Sequence, residues 1–141
     1  MTISQKTETN ENSSQPRQRL IMLIDDSLDN LAIEKIILEM AGYCVITASG
    51  GHEAIRLLSS MPPIPDLILL DMQMEKISGP SFIKILQQDF PKTVEEVPIV
   101  FLTGMDEVPT TLARGLIRKP IDVETFPLLV EKFIENEKLP R

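Results

Sequence analysis

Tryptophan is absent from this 141-residue chain, and the remaining aromatics are one Tyr and five Phe. That leaves no set of rings on which nucleic-acid bases could stack. Basic charge is also short: 14 Lys and Arg stand against 21 Asp and Glu, a net charge of −7 with a pI near 4.7. Such a surface repels phosphate backbones and anionic headgroups, so neither nucleic acid nor a membrane is expected as a direct partner. One cysteine, Cys44, excludes an internal disulfide, and its apolar neighbours mark it as a small buried residue. One histidine, His52, has no second His or Cys nearby and is expected on the surface. No apolar run approaches the roughly 20 residues of a membrane span. The opening stretch, "MTISQKTETNENSSQPRQR", has no apolar core and does not read as a signal peptide. The cytoplasm is therefore the expected compartment.

Apolar residues make up 43% of the chain and charged residues 25%, an ordinary balance for one soluble domain. Residues 1–18 are too polar to offset their ordering entropy and read as a flexible tail. Residues 19–138 read as the domain. Within it, apolar runs alternate with helical patterns. "RLIMLID", "YCVITAS", "DLILLD", "VPIVFLTG" and "LIRKP" are read as five strands. "SLDNLAIEKIILEMAG" follows the first, with Ser27 as N-cap, Gly42 as stop and an inward face of Leu28, Ala32, Ile36 and Met40 beside Ile33 and Ile37. The second helix, "GHEAIRLLSSM", turns Ala54, Leu57 and Leu58 inward. The third, "GPSFIKILQQD", carries Pro80 in its first turn. "TVEEV" reads as a solvated insertion, and "TTLARG" has room only for a shortened fourth helix. The fifth, "DVETFPLLVEKFIENEK", is capped by Asp122, tolerates Pro127 near its first turn and turns Phe126, Leu129, Val130 and Phe133 inward. Strands that are apolar throughout and alternate with helices specify an α/β fold. The expected form is a doubly wound, five-stranded parallel sheet with helices on both faces.

Such sheets carry their sites at the carboxyl ends of the strands. Here those ends hold Asp25 and Asp26, then Asp71, then Thr103, then Lys119 with Pro120. Each alone has a bland explanation: an acid capping a helix, a threonine filling a strand, a solvated lysine. Together they would bring three carboxylates, a hydroxyl and an ammonium to one rim. Three adjacent carboxylates stay ionised only beside a neutralising cation, and hard oxygen ligands suit Mg²⁺. A carboxylate in that setting is also a possible nucleophile toward a phosphoryl donor, giving an aspartyl phosphate. The metal and Lys119 would stabilise charge on the phosphoryl oxygens, with Thr103 as hydrogen-bond donor.

These segments, "LIDDS", "LILLDMQMEKISG", "IVFLTG" and "IRKP", resemble the receiver domain of two-component response regulators, the CheY-like family, over about residues 19–138. The resemblance implies the flavodoxin-like strand order 2-1-3-4-5. It makes Asp71 the phospho-acceptor, with Asp26 and Asp71 as direct Mg²⁺ ligands and Asp25 acting mainly through water. The backbone carbonyl of Gln73 would be a further ligand. Lys119 would contact Asp71 or the phosphoryl group, preceding a cis Pro120. It implies a sensor histidine kinase or histidine phosphotransfer protein as donor and a protein target for output, with no turnover of an external metabolite. The chain departs from the family pattern in three places. Glu75 stands where Pro usually follows the Met, Leu116 takes the place of an aromatic switch residue, and the segment between Thr103 and Lys119 is short. These departures suggest read-out through the loops near the site, and they leave a phosphorylation-independent adaptor as the alternative. A phosphatase of the haloacid-dehalogenase type would need an acid two residues after Asp71, where Gln73 stands.

Overall fold

Each strand is a five- or four-residue apolar run, and the computed structural model, which describes residues 18–60, 64–104 and 113–138, pairs all five in one parallel sheet. The strands are β1 (Leu20–Ile24), β2 (Cys44–Ala48), β3 (Leu67–Asp71), β4 (Ile99–Thr103) and β5 (Gly115–Arg118), in the order β2-β1-β3-β4-β5. The helices are α1 (Leu28–Met40), α2 (Gly51–Ser60), α3 (Gly79–Asp89), α4 (Pro91–Glu96) and α5 (Thr125–Lys138).

The period-two alternation of strand side chains divides the interior in two. Ile21, Leu23, Leu67, Leu69, Val100, Leu102 and Ile117 face Leu31, Ile37 and Leu38 of α1 and Phe126, Val130 and Ile134 of α5. Met22, Ile24, Ile68, Leu70, Ile99 and Phe101 face Ala54 of α2 and Phe82, Ile83 and Leu86 of α3. Covering both faces is what a sheet of continuous apolar strands requires.

Local signals at the helix ends hold. Ser27 caps α1 by accepting from the Asn30 N–H at 3.2 Å, and Gly42 ends it with φ 101°, a conformation open to glycine. Asp122 accepts from the N–H groups of Glu124 and Thr125 ahead of α5, and Pro127 falls in that helix's first turn. Pro80 sits in the first turn of α3, whose cap is Ser78.

The phase of α1 differs from the expectation. The buried stripe is Leu31, Glu34, Ile37 and Leu38, while Leu28, Ile33, Ile36 and Met40 are exposed. Apolar residues occur on nearly every side of this helix, so periodicity alone does not select a face. Packing against β1 and β2 does. Cys44 is exposed rather than buried, because it opens β2, the strand at the edge of the sheet. Leu129 of α5 is also exposed, and Ile134 takes an inward place instead. The presumed insertion before β4 is in part the helix α4, started by Pro91 with its pre-set φ, and Val97 behind it is buried. Of the fourth helix expected at "TTLARG", residues 110–112 lie outside the described residues, while Ala113 and Arg114 are not helical and Gly115 already opens β5. Most of the 1–18 tail also lies outside the described residues.

Gly79 packs beneath the carboxyl rim. A Cβ there would lie 2.8 Å from Phe101 Cε1, 2.9 Å from Met72 Cα and 3.0 Å from the Asp71 carbonyl oxygen. Two of those atoms are backbone and cannot step aside alone. Gly79→Ala should therefore destabilise the fold by about 1–3 kcal/mol, read as a lowered thermal midpoint. Gly50→Ala, with nothing within 4 Å of its Cβ, is the near-neutral control.

Candidate functional site

Strand register assembles the site. Ile24 pairs with Leu70, so the next residues, Asp25 and Asp71, emerge side by side where β1 and β3 end. The connection leaving β1 runs to β2 on one side and the connection leaving β3 runs to β4 on the other, which makes this crevice the switch point of the sheet. Thr103 ends β4, and its carbonyl accepts from the Lys119 N–H at 2.8 Å, anchoring the residue after β5 to the same rim. The Lys119–Pro120 peptide bond is cis.

Asp25, Asp26 and Asp71 each offer a carboxylate oxygen lying within 4.8 Å of the others. Asp25 and Asp71 are buried and Asp26 is exposed. The Lys119 ammonium lies 3.4 Å from Asp25 Oδ2 and 3.7 Å from Asp71 Oδ1. Backbone donors fix the orientations: the Ser27 N–H donates to Asp25 Oδ1 at 2.9 Å and the Gln73 N–H to Asp71 Oδ1 at 3.2 Å. Thr103 is buried at the rim, and Gln73 is exposed on the loop after β3. Asp25, Asp26, Asp71 and Lys119 thus converge, with Thr103 on the adjoining strand end and Gln73 on the loop after β3. Burial, and then the Asp25 charge, push the Asp71 carboxyl up to about 6, against the opposing pull of Lys119.

Three hard oxygen donors around one point, with a single ammonium opposing them, fit a small divalent cation better than they fit each other. The donor set therefore suits Mg²⁺, with Asp25, Asp26 and Asp71 as the residues that would hold it.

A fourth acid was missed in the sequence. Glu34 of α1 is 3% exposed, and its Oε1 has no hydrogen-bond partner among the described residues. Burial first, and the Asp25 charge second, push its carboxyl up to about 7. Its spacing from Leu31 and Leu38, three and four residues away, was the available signal, but that stripe was not the one assigned inward.

Glu75 has a role its side chain does not suggest. Its backbone N–H donates to Asp26 Oδ2 at 2.8 Å, a bond a proline could not make. The loop between β3 and α3 is thereby latched to an acid of the cluster. Asp26→Ala should speed hydrogen exchange at the Glu75 amide by about tenfold or more, the loss of one bond to a charged acceptor. Asp26→Asn keeps an oxygen acceptor and should retain most of the protection. Equal exchange in both variants would count against the latch. Leu116, at the expected switch position, is half-buried against the Phe101 side of the core.

Residues 21–131 match the family model of the response regulator receiver domain. Among curated proteins, the probable transcriptional regulator ycf27 of Guillardia theta is 33% identical over 88 residues, covering 62% of this chain and 32% of that protein. This chain thus spans about a third of that relative. The polar-differentiation response regulator DivK of Brucella ovis is 26% identical over 120 residues, 81% of this chain and 94% of the relative. Among solved structures, the chemotaxis protein CheY4 of Vibrio cholerae superposes with a TM-score of 0.72 at 25% identity, covering 83% of this chain and 99% of that one.

Proposed function

The chain belongs to the response regulator receiver domain family, a family of signalling modules, and from that premise we propose that it accepts a phosphoryl group on Asp71 in a Mg²⁺-dependent reaction and signals through protein contacts. The observation that carries this reading is the convergence of Asp25, Asp26 and Asp71 within 4.8 Å, with Lys119 beside two of them.

In this reading a carboxylate oxygen of Asp71 attacks the phosphorus of a phosphohistidine. An O–P bond forms, the P–N bond breaks, and the imidazole leaves. The donor would be a sensor histidine kinase or a histidine phosphotransfer protein. Bound Mg²⁺ would neutralise the acidic cluster and draw charge from the phosphoryl oxygens, held by Asp26, Asp71 and the Gln73 carbonyl, with Asp25 acting mainly through water. Lys119 would supply a second positive contact, and the Thr103 hydroxyl a hydrogen bond to a phosphoryl oxygen. The exposed apolar residues of α1 (Leu28, Ile33, Ile36 and Met40) form a surface suited to a helical partner. No helix among the described residues is long and apolar enough to cross a membrane, in keeping with a cytoplasmic role for residues 19–138.

The test is incubation with acetyl phosphate and, separately, a phosphorylated histidine donor, followed by intact mass. A phosphate adduct that needs Mg²⁺ and disappears with a chelator is expected. A folded protein that forms no adduct with either donor would instead be a receiver-fold adaptor that works without phosphorylation.

A further inference from the structure

A cavity of about 460 Å³ lies between α1 and the turn after β5, with Asn30, Glu34, Lys119 and Ile121 among its walls. Glu34 is the one acidic residue lining it and is nearly inaccessible. A buried carboxyl group with an orphaned oxygen is expensive to keep, and this one lines the same cavity as Lys119. Strand parity explains the arrangement. Asp25, Asp71 and Lys119 continue the series Ile21–Leu23, Leu67–Leu69 and Ile117, whose side chains face α1 and α5, and Glu34 comes from α1.

Lys119 is loosely held. Its contacts to Asp25 and Asp71, 3.4 and 3.7 Å, are well beyond the roughly 2.7–2.9 Å of a strong charged hydrogen bond. Both partners are also proposed to serve a metal. A divalent cation there would cancel the charge that attracts the ammonium and repel the ammonium itself. Lys119 would then need another anion. Its field already acts on Glu34, where it favours the ionised form against burial and Asp25.

We propose that Glu34 is a positioning residue for Lys119, a second seat that takes its ammonium when a divalent cation occupies Asp25, Asp26 and Asp71. This rests on the metal reading above. Metal binding and the Lys119–Glu34 pair are then linked: the seat relieves the repulsion that would otherwise oppose the cation, and the cation releases the lysine to satisfy the orphaned carboxylate.

The experiment is a double-mutant cycle on Mg²⁺ affinity, measured by calorimetry at pH 8 on wild type, Glu34→Gln, Lys119→Met and the double variant. Glu34→Gln should weaken Mg²⁺ binding by about five- to tenfold with Lys119 present, within the ordinary range of site–site coupling. In the Lys119→Met background the same change should alter affinity by less than about twofold, the scatter expected of independent sites. Equal weakening in both backgrounds would overturn the seat and make Glu34 a remote charge acting on the metal directly. No effect in either background would overturn it too. A wild type that binds no Mg²⁺ would remove the metal reading itself, a separate and recognisable failure. Glu34→Gln discards a buried charge and is not expected to threaten folding. As a second readout, the Lys119 ammonium resonance should show slowed solvent exchange on adding Mg²⁺ to the wild type but not to Glu34→Gln. An ammonium that stays equally exposed in both overturns the proposal.

Discussion

Asp71→Asn should abolish the phosphate adduct completely, with acetyl phosphate and with a phosphohistidine donor alike. An amide of the same shape has no anionic oxygen to attack phosphorus, and it removes one of three carboxylates that would hold the metal. Loss of fold is not expected as a confounding cause. The Asp71 carboxyl is pushed up to about 6 by burial and by Asp25, so its folded value lies above the unfolded 3.8. A raised carboxyl contributes stability that is complete below the unfolded value and lost as pH rises through the folded one. Above about pH 6, then, the ionised Asp71 works against folding in the absence of a cation. The Asn variant should melt at a higher temperature than wild type at pH 8 without Mg²⁺. Intact mass and thermal melting check the two halves. An adduct that survives Asp71→Asn would move the acceptor role to Asp25 or Asp26.

Glu34→Gln should remove most of the remaining pH dependence of stability in metal-free protein. The Glu34 carboxyl rises from 4.5 to about 7 on folding, again a raised value. The stability tied to its protonation is present below about pH 4.5 and gone above about pH 7. At 1.36 kcal/mol per unit the difference across that window reaches about 3 kcal/mol as an upper bound. The variant should match wild type near pH 4.5 and exceed it by up to that amount at pH 8, measured by urea unfolding at both pH values. Parallel curves for the two proteins would mean that Glu34 pairs in the folded state and that its ionisation is not opposed by burial.

The parallel sheet was legible because continuous apolar strands alternating with helices call for a sheet covered on both faces, whereas its order 2-1-3-4-5 followed from the resemblance to receiver domains. The rim was legible for a related reason. Residues that end successive strands of a parallel sheet share one edge, so Asp25, Asp26, Asp71, Thr103 and Lys119 could be gathered without coordinates. Glu75 stood out in the sequence as a departure from proline, yet only the structure placed its N–H on Asp26, because a backbone bond depends on where two loops meet.

The chain's order of residue types by itself determined the layering of the fold, the helix caps at Ser27 and Asp122, and which polar groups meet at the carboxyl edge. Tertiary structure alone decided the facing of α1, the exposure of Cys44, the helix at Pro91–Glu96 and the burial of Glu34. The physical reason is common to these. Local propensity and strand polarity act along the chain, and neighbouring residues carry them. The face a helix buries when several sides are apolar, and the burial of a lone acid, depend on the shape and charge of what packs against it. Those partners come from residues such as Lys119 that are remote in sequence.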